Sequence, residues 1–176
     1  MLPVVTHPYK FGKSNGWVGF SHCTIFNDGK GNWYYASQAR LPKSVDNAIM
    51  LGHVRSIRWT KDGWPLVMPE RYGAVPQVAI TEEELIGNWE HIDLSYSYGV
   101  QKESATMTLA ADHTITEGTW KGGTWSYDAE QQILTANGID LYLQREVDWE
   151  ASPRTPTIVY AAYGSNHKTY WGKKVK

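Results

Sequence analysis

Apolar and polar residues alternate with the period of two that belongs to β-strands through most of this chain, in short runs broken by clusters of turn residues. From Trp17 to Phe26 both alternating sets, Trp17/Gly19/Ser21/Cys23/Ile25 and Val18/Phe20/His22/Thr24/Phe26, are largely apolar, which predicts a strand covered on both faces. Asn27 to Asn32 is a turn cluster, and Trp33 to Ser37 resumes as an antiparallel partner, so the pair reads as a hairpin. Leu41 to Asn47, carrying Pro42, reads as a loop. His53 to Trp59 alternates again before Lys61-Asp62-Gly63-Trp64 turns the chain into Pro65-Leu66-Val67-Met68. Four strands in meander order describe one blade of a β-propeller. One blade cannot close a ring, and its flat faces and strand edges stay open unless neighbouring blades cover them.

Beyond a linker at Gly73-Ala74-Val75-Pro76, Thr81-Glu82-Glu83-Glu84-Leu85 has the form of one helical turn, with a threonine N-cap and acids beside the positive end of the helix dipole. Strand-like runs then follow at Gly87–Leu94, Ser104–Ala110, Thr114–Trp120, Thr124–Tyr127, Gln131–Thr135, Asp140–Glu146, Thr157–Tyr163 and Lys168–Gly172. Turn clusters such as Lys121-Gly122-Gly123 and Asn137-Gly138 separate them, a spacing that indicates a small antiparallel barrel. The chain is therefore expected to be all-β: a four-stranded propeller blade over residues 1–78, then a barrel over residues 81–176.

Charge sharpens that division. Residues 1–80 carry nine Lys and Arg against four acids, whereas 81–176 carry eight against fourteen, so the sign of the net charge reverses near Thr81. The total of −1 provides no general attraction to nucleic acid or to an anionic membrane, and neither is expected as a partner. Nine Trp and eleven Tyr against three Phe favour strands and supply flat amphipathic rings suited to sugars. Cys23 is the only cysteine, so no intrachain disulfide forms, and its place in an apolar strand predicts a buried, inert thiol. No run approaches the length of a membrane span, and Met1–Val5 is too short for a signal peptide.

Candidate chemistry is sparse. Hydrolysis of a glycosidic bond usually requires two carboxyl groups across the sugar, about 6.5–9.5 Å apart in inverting enzymes. The blade offers Asp28, Asp46, Asp62 and Glu70. Asp28 and Asp62 sit in Asp-Gly turns where the carboxylate caps nearby backbone, Asp46 lies in the loop, and Glu70 beside Arg71 reads as a solvated ion pair. No catalytic residue is assigned. His22, among Phe20, Thr24 and Phe26, reads from composition alone as a core histidine. His53 shares a strand face with Arg55 and Ile57 and reads as packing. His7, His91, His113 and His167 show no metal-cluster spacing.

The runs Gly16–Phe26, Trp33–Arg40 and Ile49–Tyr72 together resemble the last propeller blade of the secreted arabinanases of glycoside hydrolase family 43. The second half, including Val159–Tyr163 and Tyr170–Lys174, resembles their C-terminal accessory barrel. The resemblance implies the C-terminal part of an endo-1,5-α-L-arabinanase, with a five-bladed propeller whose inverting carboxylates lie on earlier blades absent from this chain. It implies that this chain alone is inactive, that its partners are an N-terminal catalytic propeller polypeptide and arabinan or an arabino-oligosaccharide, and that the location is extracellular or periplasmic. It also implies that His22, in Ser21-His22-Cys23 on the innermost strand, points into the central channel and helps to hold a metal ion, commonly calcium. Arg40, ending the Ser37-Gln38-Ala39 run, becomes a candidate for the substrate groove, with a salt bridge at the blade edge as the other reading. Two further readings stand beside this one: a non-catalytic polysaccharide-binding β-module, and a lipocalin-like barrel enclosing a small apolar ligand, suggested by Gly87-Asn88-Trp89.

Overall fold

The computed structural model describes residues 4–43 and 49–176; Asp46 and most of its loop lie outside them. A two-residue strand, β1 (Tyr9–Lys10), precedes four strands, β2 (Val18–Asn27), β3 (Trp33–Arg40), β4 (Leu51–Trp59) and β5 (Pro65–Val67), which pair in meander order as one antiparallel sheet. The hairpin between β2 and β3 is held by Asp28, whose Oδ1 accepts from the backbone nitrogens of Lys30 at 2.8 Å and Asn32 at 3.2 Å. That is the backbone-capping role expected of an aspartate before glycine.

A single helical turn, α1 (Glu82–Leu85), opens the second half, with Thr81 and Glu84 forming a reciprocal capping box. It leads into β6 (Gly87–Asp93), β7 (Lys102–Glu103), β8 (Ala105–Leu109), β9 (Ile115–Glu117), β10 (Trp125–Asp128), β11 (Ile133–Ala136), β12 (Ile139–Asp148), β13 (Thr155–Tyr163) and β14 (Thr169–Lys174). Eight of these strands form one antiparallel sheet in the order β10-β11-β12-β13-β14-β6-β8-β9. The C-terminal strand β14 thus seals against β6, the first strand of its sheet. The two outer strands approach each other through the Thr114–Thr124 bridge, with Ile115 N donating to Gly123 O at 2.9 Å, so the sheet nearly closes into a barrel. Near-closure removes the edges that would otherwise invite pairing with another chain.

Side chains fill the barrel. Leu85, Trp89, Met107, Leu109, Leu134, Leu141, Tyr160 and Ala162 are all fully buried there. Trp89 Nε1 donates to Leu85 O at 2.8 Å, and His91 Nδ1 meets Tyr160 Oη at 2.5 Å, so these buried polar groups have partners inside the barrel. The lipocalin-like shape is therefore present, but this packing leaves the reading of an enclosed apolar ligand no support. Strand β14 shows how tight the packing is: a Cβ added to Gly172 would lie 2.1 Å from the Tyr160 ring, so only glycine lets that ring cross the strand.

A second core joins the two sheets. Strand β14 sends Tyr170 into the barrel and Trp171 out of it, and the fully buried Trp171 donates from Nε1 to Val67 O at 2.7 Å. Around Trp171 gather Tyr9 and Phe11 from the N-terminal segment, Tyr35, Ile57 and Met68 from the four-stranded sheet, and Ile92, Val159 and Ala161 from the barrel. The N-terminal segment also pairs directly with the second half, β1 running parallel to β7. Neither strand is legible in the sequence, because a two-residue strand leaves no periodicity to detect.

Three expectations need correction. Strand β2 is mostly exposed, not covered on both faces, because it is the outer strand of its sheet and no other strand of the described residues pairs with its free edge. Cys23 is consequently exposed as well. Glu70 is not a solvated partner of Arg71: it is 1% exposed and bonded to Lys173, which lies far along the sequence. Among the described residues no helix is long and apolar enough to cross a membrane.

Candidate functional site

The residues singled out from the sequence meet at the exposed end of the β2–β3 ladder. The register between the two strands shifts twice, between Val18 and Ser21 and between Ser21 and Thr24, which marks a bulged region. Within it Gly19 and His22 adopt positive φ angles of 69° and 50°. The left-handed region is strained for a residue with a Cβ, and such strain concentrates where a bulge re-aims a side chain for use. His22 is exposed, so the core-histidine reading fails. Gln38 opposes Ser21 across the ladder, and its Nε2 donates to Ser21 Oγ at 2.9 Å and lies 2.7 Å from His22 Nδ1. Arg40 opposes Val18, two residues from Gln38, and its side chain runs past Gly19. The bulge thus brings His22, Gln38 and Arg40 to one open edge. Among the described residues Arg40 forms no salt bridge, and its Nη1 reaches only Leu41 O, at 3.5 Å.

With Nδ1 engaged by Gln38, His22 presents Nε2 outward, and one imidazole nitrogen next to an amide is a poor calcium site. Calcium takes six to eight oxygen ligands, with carboxylates to balance its charge. The one group of three or more potential ligand atoms among the described residues lies elsewhere, at Glu70, Asp148 and Glu150. These residues by themselves therefore do not fit calcium.

That acidic group is already served by a cation of the protein. Lys173 Nζ donates to Glu70 Oε1 at 3.0 Å, Asp148 Oδ1 at 2.9 Å and Glu150 Oε2 at 2.8 Å, using all three of its protons. Burial, followed by the nearby Glu150 charge, pushes the Glu70 carboxyl well above the usual carboxylate range despite Lys173. Glu150 is also partly desolvated, but hydrogen bonding from Glu70 and the charge of Lys173 outweigh that and hold it below the usual range. The two carboxyls are thus shifted in opposite directions, Glu70 up and Glu150 down. Burial works against the Lys173 ammonium, yet the Glu70 and Glu150 charges prevail and keep it firmly protonated. Behind the cluster the fully buried Arg55 donates to Met68 O and Pro69 O and, at 2.9 Å, to Tyr9 Oη. His53, buried as expected from its strand face, is pushed down to about 3 by desolvation and by Arg55 and Arg71, so it stays neutral. The cluster lacks an opening through which a sugar could reach Glu70, and its geometry is that of a clamp between the sheet and the barrel, with Glu70 on one side and Lys173 on the other. Sequence reading missed it because residues about a hundred positions apart carry no spacing signal.

Residues 69–172 match the family model of the C-terminal lipocalin-like domain GH43_C. The chain belongs to this family. Its GH43_C region begins at residue 69, so the Pro69–Ile80 segment that carries Glu70 is part of the match. Over 168 residues the chain is 23% identical to the extracellular endo-α-(1→5)-L-arabinanase 2 of Bacillus subtilis (strain 168), covering 92% of this chain and 34% of that protein. A family 43 glycoside hydrolase from Bacillus licheniformis superposes with a TM-score of 0.81 at 24% identity, over 96% of this chain and 38% of that one. An endo-1,5-α-L-arabinanase from Thermotoga petrophila RKU-1 gives a TM-score of 0.80 at 18% identity, with 96% and 39% coverage. The GH43_C chain thus spans about a third of the length of the curated relative it matches. The fold and the glycoside hydrolase context are established together.

Proposed function

We propose that this chain is the C-terminal part of an arabinan-degrading endo-1,5-α-L-arabinanase, in which inverting hydrolysis is carried by carboxylates on an N-terminal propeller part outside these residues. The observation that supports this most is the open face and edge of the four-stranded sheet. Phe26 and Tyr34 stack there at 5.4 Å, Tyr34 meets Tyr72 edge-on at 5.0 Å, and Phe26, Val54 and Tyr72 are each about two-fifths exposed. Apolar sheet faces of this kind are normally covered, and a neighbouring blade is the cover that a propeller supplies. The division into a blade over 1–78 and a barrel over 81–176, and the completion of a five-bladed ring, belong to this proposal.

In the assembled enzyme His22 supplies one ligand to a calcium ion in the central channel, with oxygen ligands from other blades, and Arg40 lines the substrate groove. The chain's own acids are unsuited to hydrolysis, because Glu70, Asp148 and Glu150 are shut in around Lys173 and cannot straddle a sugar. The extracellular location of the Bacillus subtilis relative supports secretion. The test is reducing-sugar release from debranched arabinan, by the purified chain and by the native complex isolated through it. Hydrolysis by the complex and none by the chain alone is expected. Activity of the pure chain, or a complex that leaves arabinan intact, overturns the reading. The alternative, a non-catalytic polysaccharide-binding module, is favoured by the exposed Trp59 and Tyr72 rings, at 39% and 42%.

A further inference from the structure

Where the four-stranded sheet meets the barrel lies a cleft of about 560 Å³, away from the bulge that carries His22. Its size falls in the range of small-molecule clefts, about 300–1,000 Å³. One wall comes from the sheet: Trp33 and Trp59 stand perpendicular, with centroids 5.5 Å apart, and Tyr72 flanks them. The other wall comes from the barrel, through Glu130 in the turn between β10 and β11 and Gln144 on β12. Arg58 ties the walls together from beneath. Its guanidinium donates to Leu143 O at 2.7 Å, Gln131 O at 3.0 Å and Gln132 O at 3.2 Å, and lies over the Tyr142 ring. With these donors turned into backbone carbonyls, Arg58 is a strut and leaves no cation free to bind an anion. The linker forming the rim is fixed as well, since Gln77 both donates to Arg145 O and accepts from Arg145 N.

The cleft is therefore built before any ligand arrives, which lowers the ordering cost of binding. Its chemistry selects a neutral, polyhydroxylated molecule. Indole and phenol faces pack against the C–H faces of a sugar ring. The side chains of Gln144 and Glu130 make no hydrogen bond among the described residues, leaving an amide donor and acceptor and a carboxylate acceptor for hydroxyl groups. Glu130 at the mouth disfavours an acidic sugar.

We propose that this cleft is a non-catalytic binding site for a neutral arabino-oligosaccharide, held by Trp59 and Gln144, which keeps the polymer on the enzyme while hydrolysis proceeds elsewhere. The substrate class rests on the arabinanase reading; the existence of a sugar site rests on the cleft alone. The test uses the full chain, titrated with α-1,5-arabinopentaose and, in parallel, with xylopentaose and cellopentaose, by calorimetry and tryptophan fluorescence. Arabinopentaose binds with a blue shift of the emission, and Trp59→Ala and Gln144→Leu each weaken it at least about tenfold, or 1.4 kcal/mol, without lowering the melting temperature beyond a few degrees. Gln144→Leu keeps the test sound if loss of Trp59 disturbs Trp33. Absence of binding, or binding indifferent to both substitutions, overturns the site. Preference for a xylose or glucose oligomer overturns its assignment to arabinan. Neither result bears on whether the native complex hydrolyses arabinan, so the two readings fail separately.

Discussion

Lys173 is the residue on which the junction between sheet and barrel depends. Its ammonium is one positive charge for three buried or half-buried carboxylates, and burial beside Glu150 pushes the Glu70 carboxyl up. The two sides of the clamp therefore respond differently to substitution. Lys173→Met leaves carboxylates buried without a counter-ion and costs about 3–5 kcal/mol. Glu70→Gln puts a neutral group of the same shape in its place, which still accepts from Lys173, and is expected to cost under about 1.5 kcal/mol. Urea denaturation of both variants at neutral pH checks this. Equal losses would mean that Glu70 is ionised in the folded protein.

At the scale of the element, strand β2 carries the site features because it is irregular. A regular strand would have placed His22 by simple alternation, and the two register shifts set it instead on the open edge beside Gln38. His22→Gly removes the strain of φ 50° and is expected to hold or raise the melting temperature, the strain being worth about 1–3 kcal/mol. His22→Val, a β-branched residue at the same angle, lowers it. If His22 is an ion ligand in the assembled enzyme, the glycine variant also lowers the calcium retained by the native complex, measured by atomic emission. Retention equal to wild type removes the ligand assignment.

For the whole molecule the decisive feature is a core that belongs to neither half. Trp171, Ile92, Val159 and Ala161 on the outside of the barrel are buried only because Tyr9, Phe11 and the four-stranded sheet cover them. The whole chain should therefore melt in one cooperative transition. Residues 81–176 close their own ladder and are expected to fold alone, but at a lower melting temperature and with exposed apolar surface that binds a hydrophobic dye. Residues 1–76 alone should show no cooperative transition, since an isolated blade leaves both faces bare. Separate expression and calorimetry test this, and an undiminished melting temperature for the barrel half contradicts the shared core. The division between what was legible and what was not follows from the range of each signal. Strand runs, turns, the helical turn capped by Thr81 and the all-β class are local, so alternation, Gly and Asn-Gly turns and an N-cap threonine specified them within about three residues of the observed ends. Burial was not legible. Strand β2 has an apolar sequence on both faces and lies open, whereas Glu70 and Lys173 are charged and lie shut in, because burial depends on which distant strands arrive beside a residue. Contacts such as Glu70 with Lys173, Trp171 with Val67 and Arg58 with Leu143 join positions about a hundred residues apart, and only the closed arrangement of the two sheets brings them within hydrogen-bonding reach.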